Sequence, residues 1–364
     1  MNVSEKMKAA VLMAPDTLEI KEVTPPQPGP ADVLIKVDSC AICSSDVSLM
    51  AHPWPGQPPY GAFIPGHEYS GVVVALGETV DEFQLGDRVA VEAHYGCGRC
   101  LNCRRGDYTS CLNYGNRAKG HRANGFTTNG GYAEYVVNHI NTVYLVPDKI
   151  SLEEASLVTN AGCVVYGFES LGGLVAGDVV VVIGPGPLGL MSVQVAKALG
   201  ADQVILLGTR PDRLRVGLEV GADHLVNVRE TDPIVFVRDH TKGRGADVVV
   251  ETSGAKEGPD LALHLCKRMG KVLLIGFPHG PVPADFSFMG LNNINIYSVR
   301  GEGRANCARA ISLMRQGKIQ ARPLITHSFS LSEIREGFRV FNEREGGAIK
   351  VLIKPSGEVR VSSV

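Results

Sequence analysis

The chain has 364 residues, 44% of them apolar and 20% charged, with 36 basic against 38 acidic side chains. That length suits two ordinary domains with separate cores, and the composition excludes a disordered or fibrous protein. Near-neutral charge offers no broad cationic field for a nucleic acid, and the opening MNVSEKMKAAVL lacks the basic and long apolar segments of a leader, so a cytoplasmic protein without membrane or nucleic-acid partners is expected.

In that setting thiols stay reduced, and nine cysteines, an odd number, point to metal sites and not to disulfides where they cluster. The first candidate set in chain order is Cys43 in CAICSSD, followed by His67 and Glu68 in PGHEYSG. Thiolate, imidazole and carboxylate form a borderline-soft donor set suited to zinc, and three ligands leave a fourth position open to water or substrate. Each residue alone has a bland reading, as a core thiol, a hydrogen-bonded histidine and a solvated charge, and the motif does not decide between the two. Between them, MAHPWPGQPPYGAF places the only tryptophan, Trp54, among prolines, either as a pocket wall or at a subunit contact.

The next stretch, YGCGRCLNCRRGDYTSC, spaces Cys97, Cys100, Cys103 and Cys111 as C-x2-C-x2-C-x7-C. Four thiolates on one short loop can close around a single zinc tetrahedrally, which holds the loop and leaves no position for chemistry. Residues 178–200, DVVVVIGPGPLGLMSVQVAKALG, read as a buried strand, a turn with Gly184, Gly186, Pro187, Leu188 and Gly189, and a helix with apolar residues at helical spacing. Strand, G-x-G-x-x-G and helix in register form a dinucleotide-binding turn, in which backbone approaches a pyrophosphate at a helix N-terminus.

A carboxylate at the end of the second strand would bind the ribose hydroxyls of NAD, but LLGTRPDR puts Gly208 there. Thr209, Arg210 and Arg213 offer instead a hydroxyl and two guanidinium forks for a 2′-phosphate, so NADP is favoured, with NAD as the alternative should Arg210 merely cap a turn and Arg213 lie on a solvated face. Strand and helix signals then alternate through HLVNV, a helix near 232–241, ADVVVETSG, a helix near 259–268, KVLLIGF and NINIYSV, which predicts a parallel, doubly wound sheet. Arg300 follows the last of these strands, as a cleft or a surface arginine.

Taken together, the open Cys and His-Glu set, the four-cysteine lobe and the Gly-rich turn resemble the zinc-dependent medium-chain dehydrogenase family from MKAAVL to GAIKVLIKP. VVVETSGA and the C-x-S-D-V stretch look most like its polyol dehydrogenases (sorbitol-like), with the threonine dehydrogenases next. The resemblance implies an α/β plus β architecture: a GroES-like catalytic domain over 1–157 with a structural-zinc lobe near 94–115, a Rossmann domain over 158–298, and a return to the catalytic domain over 299–364. It implies two zincs per subunit, a homodimer or homotetramer, and transfer of hydride between a secondary alcohol and NADP or NAD, reversible as ketone reduction. A threonine-type amino alcohol is the alternative substrate, and a silent nucleotide-binding relative the alternative role.

Residue by residue, Cys43, His67 and Glu68 match the catalytic-zinc ligands, Ser45 the first group of the proton relay, and Asp46 the acid that orients the zinc histidine. Cys97, Cys100, Cys103 and Cys111 match the lobe. Asn160 stands where relatives often carry a further ligand, so Glu68 with a water held by Asn160 is expected to complete the shell, with Cys163 a core thiol. Ser48 replaces the relay histidine of many relatives, leaving His52 or water for the last proton step. Arg300 in this context favours a polar, hydroxylated or phosphorylated substrate.

Overall fold

A computed structural model of the chain describes residues 4–278 and 280–356, which divide into two compact units. One runs through Thr159 and takes in Gly301–Ile311 and the chain from Ile325; the other is Asn160–Arg300 with Ser312–Leu324.

The first unit is built on β-structure. Strands β1 (Met7–Ala14) and β2 (Thr17–Val23) pair antiparallel. β3 (Asp32–Ala41) pairs antiparallel with both β4 (Glu68–Leu76) and a later strand, while β5 (Arg88–Val91) continues the sheet beside β4. That later strand is β6 (Tyr135–His139), and β7 (Val143–Leu145) lies against β5. The core between these layers is made by residues such as Phe63, Tyr69 and Tyr132, each with no exposure, and Leu12 and Ile35 from the strands.

In the second unit the strands are nearly continuous aliphatic runs, and this follows from burial on both faces of a parallel sheet. β8 (Val179–Ile183) is VVVVI and buried throughout. It is followed by β9 (Gln203–Gly208), β10 (His224–Asn227), β11 (Ala246–Glu251), β12 (Cys266–Leu274) and β13 (Asn295–Ser298). Their order is β10-β9-β8-β11-β12-β13, every pairing parallel, so the predicted doubly wound sheet is present. The order reverses between β8 and β11, and ligands of such sheets bind outside the carboxyl ends of the strands at that reversal.

One expected helix is shorter than its sequence pattern. Helix Gly258–Leu265 stops before the predicted end near 268, because Cys266 takes an extended conformation and begins β12. Met269, in a left-handed conformation and exposed, interrupts that strand before its regular pairing with β11 and β13 from Lys271 onward.

The chain then returns to the first unit. β14 (Ile325–Ser330) and β15 (Lys350–Lys354) pair parallel, and β15 joins β3 antiparallel through Leu352 and Ile353. Segment 312–324 stays with the second unit, where Gln194 and the backbone of Gln320 exchange hydrogen bonds of 2.6 and 3.2 Å. Among the described residues no helix is long and apolar enough to cross a membrane.

Candidate metal centres and nucleotide turn

Antiparallel pairing of β3 with β4 sets Ala41 opposite Glu68, so the chain leaving β3 and the chain entering β4 meet at one end of the sheet. Cys43 lies just past β3, as the N-cap of helix Ser44–Ala51, and His67 immediately precedes β4. Cys43 Sγ, a His67 ring nitrogen and a Glu68 carboxylate oxygen consequently fall within 4.8 Å of one another. Long sequence separation hid a juxtaposition that strand pairing makes short.

Around these three, each side chain is held by another. His67 Nδ1 lies 3.1 Å from Asp46 Oδ1, which places the proton on Nδ1 and leaves the Nε2 lone pair for a metal. The other Asp46 oxygen accepts from Cys43 N at 3.0 Å and from the Tyr132 hydroxyl at 2.8 Å. Ser45 Oγ sits 3.2 Å from Cys43 Sγ and 3.2 Å from His67 Nε2. Glu68 is paired with Lys350, a fully buried lysine from β15 whose ammonium also donates to Ile42 O at 3.2 Å.

The donor set fits zinc by charge as well as by type. Burial opposes a charge on the His67 ring, but Asp46 and Cys43 outweigh it and hold its pKa well above the usual histidine value. Burial likewise opposes the Lys350 charge, and Glu68 and Cys43 reverse the effect and raise its pKa. The acidic side chains Asp46, Cys43 and Glu68 thus favour positive charge at this buried position, which a bound dication would supply.

The four cysteines of the lobe meet as the spacing predicts, with all four sulfurs within 4.8 Å of one another. Cys97 and Cys103 sulfurs are 3.9 Å apart, and those of Cys100 and Cys111 4.0 Å. Tetrahedral zinc at ordinary Zn–S lengths requires about 3.8 Å between sulfurs, so the lobe fits a closed zinc site. Asn113 Nδ2 donates to Cys97 Sγ at 3.2 Å, a thiolate-supporting contact.

Trp54 belongs to an aromatic row beside the open centre. Its ring stacks on Phe126 with centroids 5.4 Å apart, and Phe126 in turn lies 4.4 Å from the His67 ring. Ser48 and His52 share the helix of Cys43, with His52 exposed at its C-terminal cap. Asn160 is buried and Arg300 exposed, and both belong to the second unit.

In that unit Gly184 ends β8 with φ +103°, Gly186 caps helix Pro187–Ala198, and Pro187 opens it, with Leu188 half-buried. A β-carbon at Gly189 would stand 1.8 Å from Gly184 O, so only glycine lets helix and turn pack this closely. Gly208 ends β9, and a β-carbon there would stand 2.6 Å from the Pro185 ring, so packing against the turn is a reason for glycine at 208 besides any cofactor preference. Thr209 is exposed, Arg210 caps helix Pro211–Glu219, and Arg213 lies half-buried in that helix's first turn.

Sequence reading missed Lys350, Tyr132 and Phe126. A signal for the first was present: a lysine at the start of the otherwise apolar run KVLI is a charge in a strand buried throughout.

Residues 29–148 match the family described as alcohol dehydrogenase GroES-like domain, and residues 187–316 the zinc-binding dehydrogenase family. Sorbitol dehydrogenase of Bacillus subtilis strain 168 is 31% identical over 97% of this chain and 99% of its own length. L-Threonine 3-dehydrogenase of Pyrococcus horikoshii is 34% identical over 97% of this chain and its full length. Among solved structures, a zinc-binding dehydrogenase of Sinorhizobium meliloti 1021 bound to NADP superposes with a TM-score of 0.88 at 28% identity, covering 97% of this chain and 100% of that one.

Replacing Asp46 by Asn is expected to weaken zinc at Cys43, His67 and Glu68 by about 10–100-fold while leaving the lobe zinc in place. Competition with a chromophoric chelator reads both sites, and wild-type retention at both would contradict the role given to Asp46.

Proposed function

The chain belongs to the zinc-dependent medium-chain dehydrogenase family, and from that premise we propose that it oxidises a secondary alcohol of a polyol or sugar-derived molecule, with NADP preferred to NAD. The observation that carries the reading is the position of Ser45 Oγ, 3.2 Å from two of three side chains of an open zinc set.

Zinc held by Cys43, His67 and Glu68 would supply Lewis-acid polarisation of the alcohol oxygen, which makes the hydroxyl acidic enough to lose its proton near neutral pH. Ser45 is the hydroxyl that takes up and passes on that proton. Asp46 keeps the His67 tautomer, and Lys350 fixes the direction of the Glu68 carboxylate. The Gly184–Gly189 turn holds the nucleotide pyrophosphate, and the hydride acceptor chemistry belongs to the nicotinamide. A second zinc would be held by Cys97, Cys100, Cys103 and Cys111 and would serve a structural role. None of the nine cysteines forms a disulfide and five of them lie in the two candidate metal sets, which supports a reducing, cytoplasmic setting.

Hydroxylated substrates are favoured by the relationship to sorbitol dehydrogenase, and threonine is the second reading because L-threonine 3-dehydrogenase is a comparably similar relative. NADP rests on Gly208 in place of an acid, with Thr209, Arg210 and Arg213 at the adjoining helix start. Association of two copies through β13 is supported by the edge position of that strand and by exposed Ile296, Leu291 and Phe286 around it.

Zinc-loaded protein is expected to reduce NADP faster than NAD with polyols. Arg210→Ala should lower kcat/KM for NADP about tenfold and leave NAD unchanged, since one charge-assisted contact is lost. Faster turnover with NAD would overturn the cofactor assignment, and threonine turned over above every polyol would replace the substrate. Light scattering should find an oligomer that Ile296→Lys dissociates; a monomeric wild type would contradict association through β13.

A further inference from the structure

Glu251 is a carboxylate with no solvent exposure at the end of β11, on the opposite side of the strand-order reversal from the Gly-rich turn. The zinc chemistry does not use it. Burial raises its pKa, while hydrogen bonds from Ser253 and Gly254 work the other way. An acid kept in such a place is costly unless its acceptors are needed.

Both oxygens are spent on Ser253 and Gly254. One accepts from Ser253 N at 2.8 Å and from the Ser253 hydroxyl, and the other from Gly254 N at 3.4 Å, where the backbone turns left-handed at φ +63°. The turn so fixed reaches across to β8: Thr252 Oγ1 donates to the carbonyls of Ile183 at 2.9 Å and Gly184 at 3.0 Å.

Contacts on both sides leave this turn no slack. A β-carbon at Gly184 would lie 3.0 Å from Ser253 N and Cα, and one at Gly189 2.8 Å from Thr252 Oγ1. On the far side, a β-carbon at Gly276 would lie 2.5 Å from both Gly254 N and Glu251 Oε2, and one at Gly258 2.7 Å from Glu251 Oε1.

We propose that Glu251 is a positioning residue for the nicotinamide nucleotide: it shapes the Thr252–Gly254 turn, which clamps the carbonyls of Ile183 and Gly184 where β8 enters the Gly-rich turn and so aims that turn's N–H groups at the pyrophosphate. The inference rests on reading residues 184–189 as the nucleotide turn. Thr252 is the clamp, and Glu251 acts through it without touching the nucleotide.

Fluorescence titration of zinc-loaded protein with NADPH and NADH tests this, beside steady-state rates. Glu251→Gln keeps the side-chain volume but sets an amide donor against one of the N–H groups now satisfied, and should raise the nucleotide Kd and KM about tenfold. At saturating nucleotide, kcat and the alcohol KM should stay within about twofold of wild type, the signature of lost nucleotide binding alone. Thr252→Val should act in the same direction and Thr252→Ser should restore binding. A lower melting temperature with unchanged Kd in Glu251→Gln would mark a merely structural role and overturn the proposal, as would a loss confined to kcat. Wild-type protein that binds neither nucleotide would overturn the reading of the Gly-rich turn itself, and the proposal with it.

Discussion

Asp46 has no exposure to solvent, and three parts of the first unit converge on its two oxygens. His67 enters from the start of β4, Cys43 N from the end of β3, and the Tyr132 hydroxyl from the stretch before β6. A buried acceptor that lost one of these donors would bear the full cost of desolvation, so the three segments are held in one arrangement together. The candidate metal ligands inherit their geometry from this node: the His67 lone pair is directed by Nδ1, and the Cys43 backbone is fixed at the helix start. Lys350 does the same for Glu68 from β15, which ties the end of the chain to the same centre.

The second unit solves a different problem by a different means. Where the first uses a buried acid to aim side chains, the nucleotide turn uses the absence of side chains to bring backbone close to backbone. Gly184 and Gly189 could not carry a β-carbon without striking Ser253 or the Gly184 carbonyl. Gly208 follows the same rule, since a β-carbon there would strike the Pro185 ring.

Much of this was legible in the residues because the signals were local. Four cysteines within one loop, and strand, Gly-rich turn and helix in register, each carry their own geometry, and both formed as spaced. Cys43 with His67 and Glu68 was suggested by donor type and decided only through family resemblance, because strand register between β3 and β4 brings them together and no spacing rule encodes that register. Lys350 and Tyr132 escaped for the same reason: their partners are distant in sequence, and neither belongs to a motif. The helix expected near 259–268 ends at Leu265, because Leu263, Leu265 and Cys266 continue an apolar pattern that serves the helix at first and strand β12 afterwards.

Anomalous diffraction at the zinc absorption edge examines the open metal centre most directly. Two peaks per chain are expected, one among the sulfurs of Cys97, Cys100, Cys103 and Cys111, and one at about 2.0–2.3 Å from Cys43 Sγ, His67 Nε2 and a Glu68 oxygen. A single peak confined to the cysteine lobe, in crystals grown with excess zinc, would contradict a catalytic centre at Cys43, His67 and Glu68.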